Sequence, residues 1–145
     1  MRLIIAILLT LSVAHSKEIA LTFDDAPGDT TLHFKPEQRT DELIRKLKGL
    51  KVPPVIIFAN PCNGNGPKSN FAQLTKFKNA GHIIGNHTCT HPRFDDVGPD
   101  QFVADTVNAE NIIGSLMGET KYFRYPFFNE GKIVAARDQF RAWLS

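Results

Sequence analysis

The stretch EIALTFDDAPG, residues 18–28, opens with a short apolar run, residues 18–23, that stops at two adjacent acids, Asp24 and Asp25, before Pro27 and Gly28 force a turn. A run of this length and composition, bounded by turn residues, predicts a buried strand. Carboxylates directly after such a strand have little solvent around them, so each needs a counter-charge or a cation. Consecutive strand residues face opposite sides, so one of the two acids can hold a cation while the other turns toward a substrate. Acids beside Pro and Gly more often cap a turn or helix, and the sharper role therefore depends on partners elsewhere in the chain.

The chain outward from this stretch alternates in the same way. Residues 55–58 (VIIF), 82–85 (HIIG) and 122–125 (YFRY) are further strand candidates. Between them fall helical patterns. Residues 41–50 place Leu43, Ile44 and Leu47 on one face, and residues 71–80 place Phe71, Leu74 and Phe77 on one face before Gly81. A third helix is expected from Pro99 to about Met117, and a fourth over residues 133–144 with Ile133, Ala136, Phe140 and Trp143 on one side. Apolar strands alternating with helices predict a parallel α/β architecture, either barrel-like or doubly wound. In such folds the chemistry gathers at the C-terminal ends of strands. Asp24 and Asp25 follow the first strand, His87 and His91 the third, and Arg124 lies in the fourth.

His87 and His91 lie four apart in GNHTCTHP, residues 85–92, a spacing that suits one metal in a helical turn or compact loop. With Asp25 they make a two-histidine, one-carboxylate set that leaves coordination positions for water and substrate. Zinc is the first expectation, with cobalt, nickel and manganese compatible with the same donors. Arg124 sits in an aromatic run and would be desolvated unless paired, and Asp24 is the free carboxylate. An Arg stacked on its aromatic neighbours is the plainer alternative.

The remaining composition sets bounds. A formal charge of +2, spread over scattered Lys and Arg, indicates neither a nucleic-acid surface nor a polybasic membrane patch. Residues 1–16 read as an export signal, with Arg2 ahead of an apolar stretch over residues 3–14 that is too short to span a bilayer, and with Ala14 and Ser16 at the positions a signal peptidase inspects. Cleavage there leaves residues 17–145 as one domain, secreted or periplasmic, with no stable membrane insertion. In an oxidising compartment Cys62 and Cys89 can form a disulfide, and a single pair leaves that and two free thiols equally open.

Taken together, three segments resemble the motifs of the polysaccharide deacetylases, carbohydrate esterase family 4. Residues 22–27 (TFDDAP) resemble the family's TFDDGP with Ala26 for Gly, residues 87–92 (HTCTHP) its H-[ST]-x-x-H-P, and residues 124–127 (RYPF) its R-x-P-[YF]. The resemblance implies a partial (β/α) barrel of the glycoside hydrolase and deacetylase type, with parallel strands inside and helices outside. It implies that Asp25, His87 and His91 hold a divalent metal, that Asp24 is the general base oriented by Arg124, and that the backbone N–H of Phe127 helps to stabilise the oxyanion. The substrate class it implies is an N-acetylated polysaccharide or oligosaccharide such as peptidoglycan or chitin. Thr88 or Thr90 is expected to steady the histidine loop, and Ala26 to matter only if its position needs a positive φ. The family's two later motifs, including the histidine that protonates the leaving amine, have no counterpart here. His33 and His82 match neither, so a catalytically impaired remnant that still binds metal or glycan is the alternative expectation.

Overall fold

The computed structural model describes residues 18–64 and 66–145, so the expected export signal lies outside the described residues. Three strands, β1 (Thr22–Ala26), β2 (Ile56–Ala59) and β3 (Ile83–Asn86), pair in parallel in the order β1-β2-β3. Helix α1 (Pro36–Gly49) links the first two and α2 (Pro67–Asn79) links the second and third. After β3 come α3 (Phe94–Ile113), two 3-10 turns at Gly114–Leu116 and Pro126–Phe128, and α4 (Val134–Leu144).

Local chemistry explains the helix ends. Pro36 and Pro67 occupy first-turn positions, where their missing N–H costs nothing. The Lys35 N–H donates to the Gln38 side chain at 3.0 Å, and Lys46 and Lys48 lie in the last turn of α1, where cations complement the helix dipole. Gly98, at φ 75°, breaks α3 one residue before Pro99, so the helix restarts where the sequence predicts a start, after a preceding turn that the sequence did not indicate.

The core has two parts. Val55, Ile57, Ala59 and Ile84 of the sheet region pack with Leu47, Leu74, Phe77 and Ile113. The isoleucines and leucines lose essentially all their surface, each contributing roughly 1.5–3 kcal/mol. A second cluster is aromatic, with Phe94, Phe102 and Phe140 packed against Phe123 and Tyr125. The predicted faces of α1 and α2 are the buried ones, but Ile133 precedes α4 and is exposed, as is Trp143.

Two strand expectations need correction. The first strand is not residues 18–23: Ile19 and Leu21 are exposed, and pairing starts at Thr22↔Ile56 and runs through both aspartates to Ala26↔Ala59. Residues 122–125 form only one parallel bridge, Asn86↔Phe123, because Pro126 follows and the chain turns away into a 3-10 turn.

The register places the strand ends in one row. Ala26, Ala59, Asn86 and Phe123 are neighbours across the sheet. The next residues on three of these segments then repeat one hydrogen bond: Asn60 N–H donates to Ala26 O (3.0 Å), His87 N–H to Ala59 O (3.1 Å) and Arg124 N–H to Asn86 O (3.0 Å). Asn60, His87 and Arg124 thus stand side by side on the C-terminal rim of the sheet.

Candidate metal and catalytic site

On this rim the two aspartates separate. β1 is one residue longer than β2 between the pairs Phe23↔Ile57 and Ala26↔Ala59, and the extra residue is taken up with Asp25 at φ 59°. Ala26 is not among the left-handed residues, so Ala in place of Gly brings no conformational penalty there. The bulge sends the two carboxylates to different partners.

Asp24 pairs with Arg124, whose Nη1 lies 2.7 Å from Asp24 Oδ1 and 2.8 Å from Thr22 Oγ1. The guanidinium also lies 4.2 Å over the Phe58 ring, so its plane is fixed by stacking as well as by hydrogen bonds. Asp25 Oδ1 instead lies 3.1 Å from His91 Nε2 and 3.7 Å from His87 Nε2. One ligand atom from each of Asp25, His87 and His91 falls within 4.8 Å of the others, close enough to share one cation.

The fit goes beyond distance. His87 Nδ1 is 2.7 Å from the Arg124 carbonyl oxygen, an acceptor only, so Nδ1 carries the proton and Nε2 keeps its lone pair on the Asp25 side. Burial pushes the His87 imidazole below the ordinary histidine value, with the Arg124 carbonyl partly opposing the shift, which favours the neutral form a metal requires. His91 lies against the Phe127 ring at 4.4 Å, and that ring lies under the Arg93 guanidinium at 4.6 Å. In the Pro126–Phe128 turn the carbonyls of Tyr125 and Pro126 take the N–H groups of Phe128 and Asn129, not that of Phe127.

The six residues read from the sequence as a site, Asp24, Asp25, His87, His91, Arg124 and Phe127, are therefore brought together. His82 is not, since it precedes β3 at the opposite end from His87, and His33 is exposed in the loop before α1. Five of the six non-glycine residues at positive φ among the described residues are Asp25, Thr88, His91, Phe127 and Phe128, all at this rim. Such conformations cost on the order of 1–3 kcal/mol each and persist only where surrounding contacts over-determine them. A cavity of about 260 Å³ opens beside Asp25 and His91, walled by Gly28, Asp29, Asn60 and Asn63.

The family model described as polysaccharide deacetylase matches residues 12–139. This chain belongs to the polysaccharide deacetylase family. A peptidoglycan-N-acetylglucosamine deacetylase of Bacillus cereus is 33% identical over 114 residues, covering 78% of this chain and 37% of that protein. Among solved structures, a peptidoglycan N-acetylglucosamine deacetylase superposes with a TM-score of 0.64 at 28% identity, covering 85% of this chain and 53% of the other. The chitin deacetylase of the fungal pathogen Colletotrichum lindemuthianum gives 0.65 at 24% identity, covering 86% and 51%, a likeness of fold alone. The chain thus spans between about a third and a half of the length of these relatives. The three parallel strands and their outer helices are the partial α/β barrel of the deacetylase fold.

Sequence reasoning missed several residues of this deacetylase-family site. Asp105 on α3 accepts the N–H groups of Cys89 (2.8 Å) and Thr90 (3.0 Å) and the Thr90 hydroxyl (2.9 Å). Asn60 donates to His87 O at 2.5 Å, and Asn86 Oδ1 accepts the Thr88 N–H at 2.8 Å. Thr88 does steady the loop as expected, accepting the His91 N–H at 3.2 Å. One signal was available: Asp105 lies on the stripe of Phe102, Thr106 and Ala109, an acid where the helix is otherwise buried. The cysteines pair, Cys62 with Cys89, tying the histidine loop to the loop after β2.

Proposed function

We propose that this protein is an exported, metal-dependent hydrolase that removes acetyl groups from N-acetylated glycans of the peptidoglycan or chitin type. The observation that carries the reading is the division of labour between the adjacent aspartates, with Asp25 facing two imidazole Nε2 atoms and Asp24 facing a guanidinium. Family membership and the relatives' printed activities supply the substrate class.

Asp25, His87 and His91 would hold a divalent cation, zinc first and cobalt, nickel or manganese as alternatives, given the mixed nitrogen and oxygen donors. When bound, such a cation supplies Lewis-acid polarisation of the acetamide carbonyl and acidification of water. The chain's own groups do the rest. Asp24, held by Arg124, takes the proton of the attacking water as general base and passes it to the amine nitrogen as the C–N bond breaks and acetate leaves. The Phe127 N–H donates toward the oxyanion that develops on the carbonyl. Thr22 and Phe58 orient the Arg124 side chain, so Asp24 meets a guanidinium already in place. Export is supported by the apolar segment over residues 3–14 with its preceding Arg2, and an N-terminus at Lys17 in secreted material would establish it.

The deciding experiment is acetate release from N-acetylglucosamine oligomers by the full chain, with and without zinc, beside Asp24→Asn. Release that needs the metal and drops by about 10²–10⁴-fold in the variant is the expected result. A folded chain that binds zinc yet releases no acetate would remove the hydrolase reading.

A further inference from the structure

We propose that Asp105 is the positioning residue of the cation site, setting the spacing of His87 and His91 by holding the peptide between them. The inference rests on the reading of Asp25, His87 and His91 as cation ligands.

After Asn86 the chain leaves the sheet, so the loop must find other acceptors for its N–H groups. The His87 N–H still reaches the Ala59 carbonyl, and from Thr88 to His91 the structure supplies a side-chain acceptor for each N–H. Thr88 N–H goes to Asn86 Oδ1 and His91 N–H to Thr88 Oγ1, both within the loop itself. The two N–H groups between them, of Cys89 and Thr90, converge on one atom, Asp105 Oδ2, while Asp105 Oδ1 takes the Thr90 hydroxyl. Both carboxylate oxygens are thus spent on the loop, and no cationic side chain pairs with Asp105 among the described residues. Bonds to an ionised acceptor are shorter and stronger than neutral ones.

The anchor is also rigid. Asp105 stands on α3 between Phe102, Thr106 and Ala109, which are essentially without solvent exposure. The loop it holds contains Thr88 at φ 65° and His91 at φ 60°, a left-handed pair flanking the clamped peptide. A β-branched residue there is a conformational outlier that relaxes once its restraints go. Loss of the clamp lets Thr88 and His91 return toward ordinary backbone angles and separates the Nε2 atoms that now face Asp25. Asp105 never reaches the cation; it acts through the histidines, in the way outer partners of metal ligands do.

The test titrates Co²⁺ into the full chain and follows the visible d–d absorption, for wild type, Asp105→Asn and Thr90→Val, below each apo melting temperature. Amide exchange of Cys89 and Thr90 is measured alongside. Asp105→Asn is expected to raise the Co²⁺ Kd by about 10–100-fold, change the band shape and intensity, and speed exchange at both amides. Thr90→Val, which removes one bond of the three, is expected to raise the Kd by roughly 3-fold with the same spectral trend. Wild-type affinity and spectrum in both variants overturn the proposal, and if Asp105→Asn does not fold, an unchanged Thr90→Val overturns it alone. A folded wild type that binds no Co²⁺ fails at the cation reading instead, and the proposal falls with it.

Discussion

Arg124 serves two partners through different atoms. Its guanidinium holds Asp24, while its backbone carbonyl holds the His87 ring. Replacing the side chain leaves the carbonyl in place, so the two functions separate under mutation. Arg124→Met is expected to lower kcat by about 10²-fold while zinc affinity, followed by calorimetry, changes little. A comparable loss of zinc binding would show that the side chain supports the cation site as well. Much of the site was legible at this scale, because acids after an apolar run and histidines four apart are unusual enough to stand out in the sequence. The bulge at Asp25 was not, since Asp25, Thr88 and Phe127 adopt left-handed angles without a glycine to announce them. Nor was the Asp105 clamp, since two of its three donors are backbone N–H groups and an acid on the buried stripe of α3 does not by itself say what it holds.

At the level of elements, the first turn of α3 and the loop carrying Phe127 are joined by a second acid. Asp95 accepts the Asn129 side-chain amide and the Lys132 N–H, while its own N–H donates to Asn129 Oδ1. The Asn129 amide and the Lys132 N–H hold the Asp95 carboxyl below the usual carboxylate range. A depressed folded value means that this contribution is complete above the unfolded value and is lost as pH falls through the folded one. Thermal melts of wild type and Asp95→Asn from pH 7 to pH 3 should therefore show the wild type ahead at neutral pH and the gap closing at the acid end. A gap that stays constant would mean that the carboxylate is not the source. Elements were legible as alternating types, but not their starts. Residues 18–21 look more strand-like than Asp24 and Asp25, yet pairing falls on the acids because β2 ends in register with Ala26 and draws β1 along its rim. Hydrophobic pattern reports burial, and at an edge strand burial and pairing part company.

At the scale of the molecule, two histidines and one disulfide set the response to conditions. Burial holds both His82 and His87 below the ordinary histidine value. The unfolded chain takes up protons as pH falls through about 6.5 while the folded chain resists. Stability of the metal-free protein should therefore fall between roughly pH 7 and pH 5. Urea unfolding should show this slope, and His82→Gln should make it shallower, since the His82 share is lost. The Cys62–Cys89 bridge closes a loop with a sequence separation of 27, worth roughly 3–4 kcal/mol by chain-entropy arguments. The Cys62→Ser, Cys89→Ser double variant should lose about that much in urea midpoint analysis, and an unchanged midpoint would show that the neighbouring hydrogen bonds suffice without the bridge. The sequence could propose two cysteines but not their pairing, because the register that brings the loop after β2 beside the loop after β3 is a property of the assembled sheet.

The repeated rim hydrogen bond, from Asn60 to Ala26, His87 to Ala59 and Arg124 to Asn86, has a mechanical meaning. It works like a row of teeth on a comb. Each segment is indexed by the one before it, so a slip of any strand by one residue would carry every tooth beyond it out of line. A one-residue insertion therefore leaves the row aligned only where a bulge absorbs it before the rim, as at Asp25 in β1.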